Sequence, residues 1–114
     1  MFSFRSRNLD GARQKLMGQI VKLIELVERL AELDDEETIY ARKPWTNDSD
    51  AMVVRIPDDK LNEDPLEATE AGLAYFLESF VAREVMEGWI ASLDEKPTLA
   101  ATCQRLIGYA INDA

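Results

Sequence analysis

Two short strand-like runs that lie close together in the sequence constrain the fold of this chain most. Residues 38–42 alternate apolar and polar side chains, and residues 51–56 are rich in β-branched side chains and stop before Pro57. Only eight residues separate the two runs, so an antiparallel pair joined by a loop is the simplest arrangement. The runs therefore predict a small antiparallel sheet on which the rest of the chain must pack.

Leucines at a seven-residue spacing mark the N-terminal part of the chain. They are Leu9, Leu16, Leu23 and Leu30. Further apolar side chains between residues 20 and 27 widen this stripe, as in a helix that lies on a sheet. The pattern predicts one long amphipathic helix over residues 9–33. Packing on the sheet and a homodimer through this helix both stay open, because its apolar surface covers more than one face.

A short helix is predicted after Asp64. This residue is a candidate N-cap, Pro65 follows it in the first turn, and Gly72 is placed to end the helix in a left-handed conformation. Residues 73–78 are ambiguous, because they fit either a third strand or the start of a longer helix. Gly72 and the aromatic side chains of the segment favour the strand.

Two helices are predicted at the C-terminal end. Residues 80–93 carry apolar side chains at four-residue spacing, and Pro97 and Thr98 break this pattern before a final helix over residues 99–111. The inward-facing residues of that helix are expected to be Leu99, Cys103, Leu106, Ala110 and Ile111. The predicted fold class is α+β in a single domain, residues 1–114. It has a long N-terminal helix, a small antiparallel sheet of two or three strands, and two C-terminal helices packed on one sheet face.

The residue types that are missing make several functions improbable. The chain contains no histidine, which removes the commonest general base and metal ligand, and it has no glycine-rich loop to cradle a phosphate. We therefore expect no enzymatic activity, no cofactor and no metal. The single cysteine, Cys103, cannot form an internal disulfide, which favours a structural role and the reducing cytoplasm.

The net charge of −9 at pH 7 is unevenly distributed along the chain. Residues 1–30 carry six basic and three acidic side chains, whereas residues 31–114 carry seven basic and nineteen acidic ones. Such an acidic body repels phosphate backbones, so no nucleic-acid binding is expected. No apolar run approaches the ~20 residues that cross a bilayer, so no membrane association is expected either. The acidity either supports solubility or forms a face complementary to a basic partner.

The loop between the two strand-like runs is the best candidate for a site. Residues 43–50 combine a cation, a tryptophan and several acidic or amide side chains, which is unusual for a plain connector. Trp45 is either an anchor for a partner's pocket or a side chain folded back onto the sheet. The candidate binding residues are Tyr40, Arg42, Lys43, Trp45, Asp48, Asp50 and Arg55. Alternatively, the cations Arg42, Lys43 and Arg55 hold a small anion.

These observations predict a small acidic cytoplasmic protein that binds a protein partner. In this interpretation Trp45 inserts into the partner, Asp48 and Asp50 meet its cations, and Tyr40 and Arg42 extend the contact. In size, acidity and order of elements the chain resembles small bacterial inhibitors of the immunity and antitoxin type. That resemblance implies inhibition of the partner. The alternative function is a regulatory or accessory domain that binds the anion described above.

Overall fold

The computed structural model describes residues 18–55 and 65–112, and within them the chain has an α+β fold. The strands are β1 Val21–Lys22, β2 Glu37–Ala41, β3 Asp50–Arg55 and β4 Ala74–Glu78. The helices are α1 Leu23–Glu28, α2 Leu66–Glu70, α3 Ser79–Ala91 and α4 Leu99–Asn112, with a 3-10 turn at Leu30–Glu32. The strands form one antiparallel sheet in the order β1-β3-β2-β4.

The central strands β2 and β3 confirm the predicted antiparallel pair. Ile39 lies opposite Val53, and Tyr40 lies opposite Met52. Because successive side chains of a strand point to opposite faces, these two pairs belong to opposite sides of the sheet. All four side chains are buried. The hairpin is therefore the centre of the fold, with apolar packing on both faces.

The predicted long N-terminal helix is wrong in the part of it that the structure describes, and residues 9–17 lie outside that part. The Gly18 N–H donates to the Val53 carbonyl at 3.0 Å, and Val21 pairs with Ala51, so the chain runs along the edge of β3. The helix begins only at Leu23, lasts six residues and is followed by the 3-10 turn. Pairing with an open sheet edge has outweighed the local helical pattern.

The leucine pattern nevertheless identified core residues. Leu23 and Leu30 are fully buried against the sheet within the chain itself. These two leucines therefore cannot form a seam with a second copy. The homodimer through residues 9–33, which the sequence left open as an alternative, stays untested for the remainder of that segment.

Residues 74–78 form the strand β4, which decides the ambiguity of that segment. With the two-residue β1, the sheet has four strands among the described residues rather than the two or three expected. The pairing of β4 with β2 is interrupted, because Ile39 lies opposite Leu77 while Tyr40 lies opposite Tyr75. The extra residue is Phe76, and this bulge lets Phe76 and Leu77 both enter the same core.

Helices cover both faces of the sheet. On one face, Ala82 of α3 and Leu106 of α4 pack with Ile39 and other residues of the larger core. On the other face, Ala68 of α2 packs with Tyr40 and others in a smaller core. Tyr40, a predicted binding residue, therefore lies in a core and not on an open sheet face. The short helix α2 covers that face, and the predicted Gly72 follows it with φ +75°.

The two longest helices among the described residues, α3 and α4, have 13 and 14 residues. The start of α4 follows the predicted signal, since the Thr98 hydroxyl accepts a hydrogen bond from the Ala101 N–H at 3.1 Å. At the other end, Ile111 was expected to face inward, but its side chain is 64% exposed. Within the described part of the chain, no helix combines the length and apolar character that a membrane span requires.

Candidate functional site

The segment of residues 43–50, which consists of the loop between β2 and β3 after Arg42 and the first residue of β3, is called here the Trp45 loop. It is closed by a compact turn: the Ser49 N–H donates to the Thr46 carbonyl at 3.1 Å, and the Thr46 N–H donates to the Ser49 hydroxyl at 2.8 Å. The Ser49 hydroxyl in turn lies 3.3 Å from the Pro44 carbonyl and donates to it. Ser49 is buried although it lies in a loop. The loop therefore holds one shape through its own polar groups.

Trp45 is folded back onto the sheet. Its indole N–H donates to the Ala41 carbonyl at 3.0 Å. The ring meets Phe76 edge to face, with 5.0 Å between centroids and an interplanar angle of 89°. The Lys43 ammonium lies 5.0 Å from the centroid of the indole ring, a cation–π distance. Trp45 is only half-buried, so part of its surface stays open to solvent.

The Trp45 loop is also anchored to two helices. On one side, the Gln104 side-chain amide of α4 donates to Asn47 Oδ1 at 2.8 Å. On the other side, the first two backbone N–H groups of α1 donate hydrogen bonds to backbone carbonyls of the loop. Leu23 donates to the Ser49 carbonyl at 2.8 Å, and Ile24 donates to the Asn47 carbonyl at 3.0 Å. The loop conformation thus depends on elements far apart in the sequence.

The two predicted acidic residues of the loop differ in their surroundings. Asp50 is engaged, because Lys22 Nζ lies 3.3 Å and Arg42 Nε lies 3.5 Å from its carboxylate oxygens. Arg42 also donates to the Ala71 carbonyl at 2.9 Å. Asp48 is exposed and makes no ion pair with any residue that the structure describes. Asp48 is therefore the carboxylate available to a partner.

The three cations of the predicted anion site do not come together. Arg55 pairs with Asp34 at 2.6 Å and with Glu36 at 3.0 Å. Arg42 lies at the opposite end of β3, roughly 16 Å away along the strand at the usual rise per residue. Lys43 and Arg42 stay close to each other at the Trp45 loop. A small anion cannot bridge all three.

Tyr40 is buried on the other side of the sheet from the Trp45 core. It packs with Met52 and Ala68, and its ring meets Tyr75 edge to face at 6.1 Å between centroids. Only 2% of Tyr40 is exposed. Its ring is therefore a core component and offers no surface to a partner.

A cleft of about 600 Å³ opens between the Trp45 loop and the end of α4. It is called here the α4 cleft, and it is lined by Lys43, Pro44, Trp45, Ala110 and Ile111. Four of these five residues are apolar, and the cation is placed against the indole ring. A second, polar depression of about 330 Å³ lies on the other flank of the loop and includes Lys22, Arg42 and Asp50.

Sequence reasoning identified the loop but not the helix that completes the site. Ala110 packs against the larger core as predicted, whereas Ile111 is exposed, and no sequence pattern singled out Gln104. The only available signal was that Ile111 lies one position after Ala110. Adjacent helical positions point roughly 100° apart, so both face a core only where the apolar stripe is wide.

Cys103 and the acidic side chains offer no obvious chemistry at the site. Cys103 is fully buried, and burial together with the negative charge of Asp48 raises the pKa of its thiol to about 11. A thiol with so high a pKa is a poor nucleophile at neutral pH. Among the described residues, no group of three or more cysteine or acidic side chains could hold a metal ion.

No family model, curated protein or solved structure matches this chain. Any function must therefore be argued from the residues themselves. The features that bear on it are the fixed loop, its exposed charges and the adjoining α4 cleft.

Proposed function

We propose that this chain is a non-enzymatic cytoplasmic protein that binds a protein partner through the Trp45 loop, with inhibition of that partner as its concrete role. The observation that carries the proposal is the way the loop is held. Its turn, its tryptophan and its contacts with α1 and α4 fix the backbone, while Lys43, Pro44 and Asp48 remain exposed. Anchoring of this kind presents the exposed side chains of the loop in one fixed arrangement, as a preformed contact surface requires.

A preformed loop favours protein binding for an entropic reason. Ordering a flexible loop on association costs free energy, and a loop that is already ordered avoids that cost. Trp45 contributes by bracing the loop rather than by inserting deeply into the partner. The exposed groups at its tip are then free to provide specificity.

The charged side chains at the Trp45 loop have two roles: one group holds the loop in place, and the other is exposed to a partner. Lys22 and Arg42 both pair with Asp50 and hold the hairpin to the edge strand. Lys43 and Asp48 make no ion pair with described residues and lie on the exposed side. We assign the contact to these two residues, which leaves Tyr40 and Arg55 outside it.

The acidic body also supports a protein partner. A net charge of −9 attracts a basic surface and speeds the encounter at low ionic strength. Added salt shortens the range of this attraction, so association is expected to slow steeply as salt rises. An association rate that does not depend on salt would contradict the role of the acidic face.

The test is capture of partners from an extract of the cells that make the protein. The immobilised wild-type chain is compared with Asp48→Lys and Lys43→Glu, whose side chains are exposed. Matched controls are Glu84→Lys and Lys96→Glu, which make the same charge changes at exposed positions elsewhere. We expect the loop variants to recover a specific partner at least ten times less well and the controls to recover it fully. Equal recovery by all five proteins would overturn the proposal.

A further inference from the structure

We propose that the α4 cleft binds a segment of the partner protein in which a large apolar side chain stands next to an aspartate or glutamate. This inference rests on the proposed function and specifies what the partner presents. It assigns the apolar group to the Ile111 side of the cleft and the carboxylate to Lys43.

The size and lining of the α4 cleft fit an apolar side chain. Its volume of about 600 Å³ lies in the range of pockets that bind drug-sized groups, roughly 300–1,000 Å³. Ile111 is 64% exposed beside the half-buried Trp45, so an apolar group that covers both removes apolar surface from water. Trp45 is fixed by its own hydrogen bond and by Phe76, so it forms a rigid wall.

Lys43 is the residue that would bind the carboxylate of the partner's segment. Its neighbours Lys22 and Arg42 share Asp50, but Lys43 pairs with no carboxylate among the residues that the structure describes. Its ammonium is held against the Trp45 ring at the rim of the cleft. An arriving carboxylate would therefore meet a positioned cation that has no ion pair with a described residue to give up.

The lining of the α4 cleft indicates the orientation of the bound segment. Ala110 and Ile111 on the helix side are apolar, and Lys43 is the cation among the lining residues. An apolar group is therefore expected beside Ile111, and the acid of the partner toward Lys43.

The acidic body limits how many acids the segment can carry. At physiological salt, charges are screened beyond about 8 Å, so one carboxylate in contact with Lys43 feels mainly that lysine. Further acids would face the net charge of −9, while the nearby cations Lys22 and Arg42 already share Asp50. We therefore expect a single acid next to the apolar side chain, with neutral or basic residues around it.

The experiment is selection of random dodecapeptides on the immobilised full chain, followed by titration calorimetry with the best synthetic peptide. Selected peptides should share a Leu, Ile, Phe or Trp next to one Asp or Glu. Ile111→Ser should weaken the peptide at least tenfold, and its matched control Leu66→Ser, at an exposed leucine of α2, should not. Selection repeated on the Lys43→Glu protein should yield peptides with Lys or Arg in place of the acid. Selection on the control Lys96→Glu should yield the same peptides as wild type.

Three outcomes would overturn the inference. They are selection of no peptide, selection without the paired residues, and a peptide that binds Ile111→Ser as well as wild type. Sodium octanoate that binds the cleft when no peptide does would assign the site to small carboxylates instead. If Ile111→Ser still captures the cellular partner while Asp48→Lys does not, the proposed function stands and only the role of the cleft is lost.

Discussion

Among single residues, Trp45 has the largest influence on the shape of the site. Its ring packs on Phe76, its N–H satisfies the Ala41 carbonyl, and its face supports the Lys43 ammonium. These contacts couple the loop to the core of the sheet. A change at this position should therefore affect the stability of the whole protein.

We expect Trp45→Ala to lower the free energy of unfolding by about 2–3 kcal/mol. Removal of a fully buried tryptophan costs about 3–5 kcal/mol, and Trp45 is only half-buried. Trp45→Phe keeps an aromatic ring but loses the hydrogen bond to Ala41, so its cost should be about 1 kcal/mol. Urea denaturation measures both values.

The control for this prediction is Leu66→Ala, which removes a large apolar side chain that is 69% exposed. Its effect should stay within about 0.5 kcal/mol. A Trp45→Ala protein that unfolds at the wild-type urea concentration would mean that the indole does not pack on Phe76 in solution.

At the scale of elements, replacing a glycine by alanine changes stability differently at the end of a helix and in its interior. Gly72 follows α2 with φ +75°, and an added Cβ would lie 2.9 Å from Arg42 Nη1. The arginine can move aside, so the backbone conformation is the larger cost. Gly88 lies inside α3, where an added Cβ meets nothing within 4 Å.

Gly72→Ala and Gly88→Ala should therefore change stability in opposite directions. The first should destabilise the protein by about 1–2 kcal/mol, because a left-handed residue with a side chain is strained. The second should stabilise it by about 0.5–1 kcal/mol, because alanine is more favourable than glycine in the interior of a helix. Thermal denaturation of the two variants side by side gives the signs. Stabilisation by Gly72→Ala would contradict the left-handed end of α2.

Some helices and strands could be predicted from short sequence features that lie within or next to them. The β2–β3 hairpin, β4 and α4 follow from β-branched runs, from Gly72 and from Thr98. β1 could not be predicted, because two residues become a strand only through their pairing with β3. For the site, the loop was visible as an unusual composition. Its contact with Gln104 depends on how α4 packs, which no local pattern records.

At the scale of the whole molecule, Cys103 makes stability depend on pH. Burial, assisted by the charge of Asp48, raises the pKa of its thiol from 9.0 to about 11. The unfolded chain therefore loses this proton near pH 9, while the folded chain keeps it until near pH 11. The protonated Cys103 thiol therefore makes its full contribution to the free energy of unfolding below pH 9. This contribution is lost as the pH rises from 9 through 11.

We expect this loss to reach about 2–3 kcal/mol, at 1.36 kcal/mol for each pKa unit. Urea denaturation of wild type and Cys103→Ala at several pH values from 8 to about 11 measures it. Lysine and tyrosine titration affects both proteins equally, so the difference between their profiles isolates the thiol. Parallel profiles would show that the thiol is not desolvated in the folded protein.

The anchoring of the Trp45 loop to α1 and α4 has a practical consequence for protein engineering. A synthetic hairpin of residues 37–55 would lack Gln104 and the N–H groups of Leu23 and Ile24, which hold the loop carbonyls and Asn47. Such a peptide mimic would have to rebuild this support by cyclisation or by a grafted scaffold. The transferable unit is the loop together with its two supporting helices.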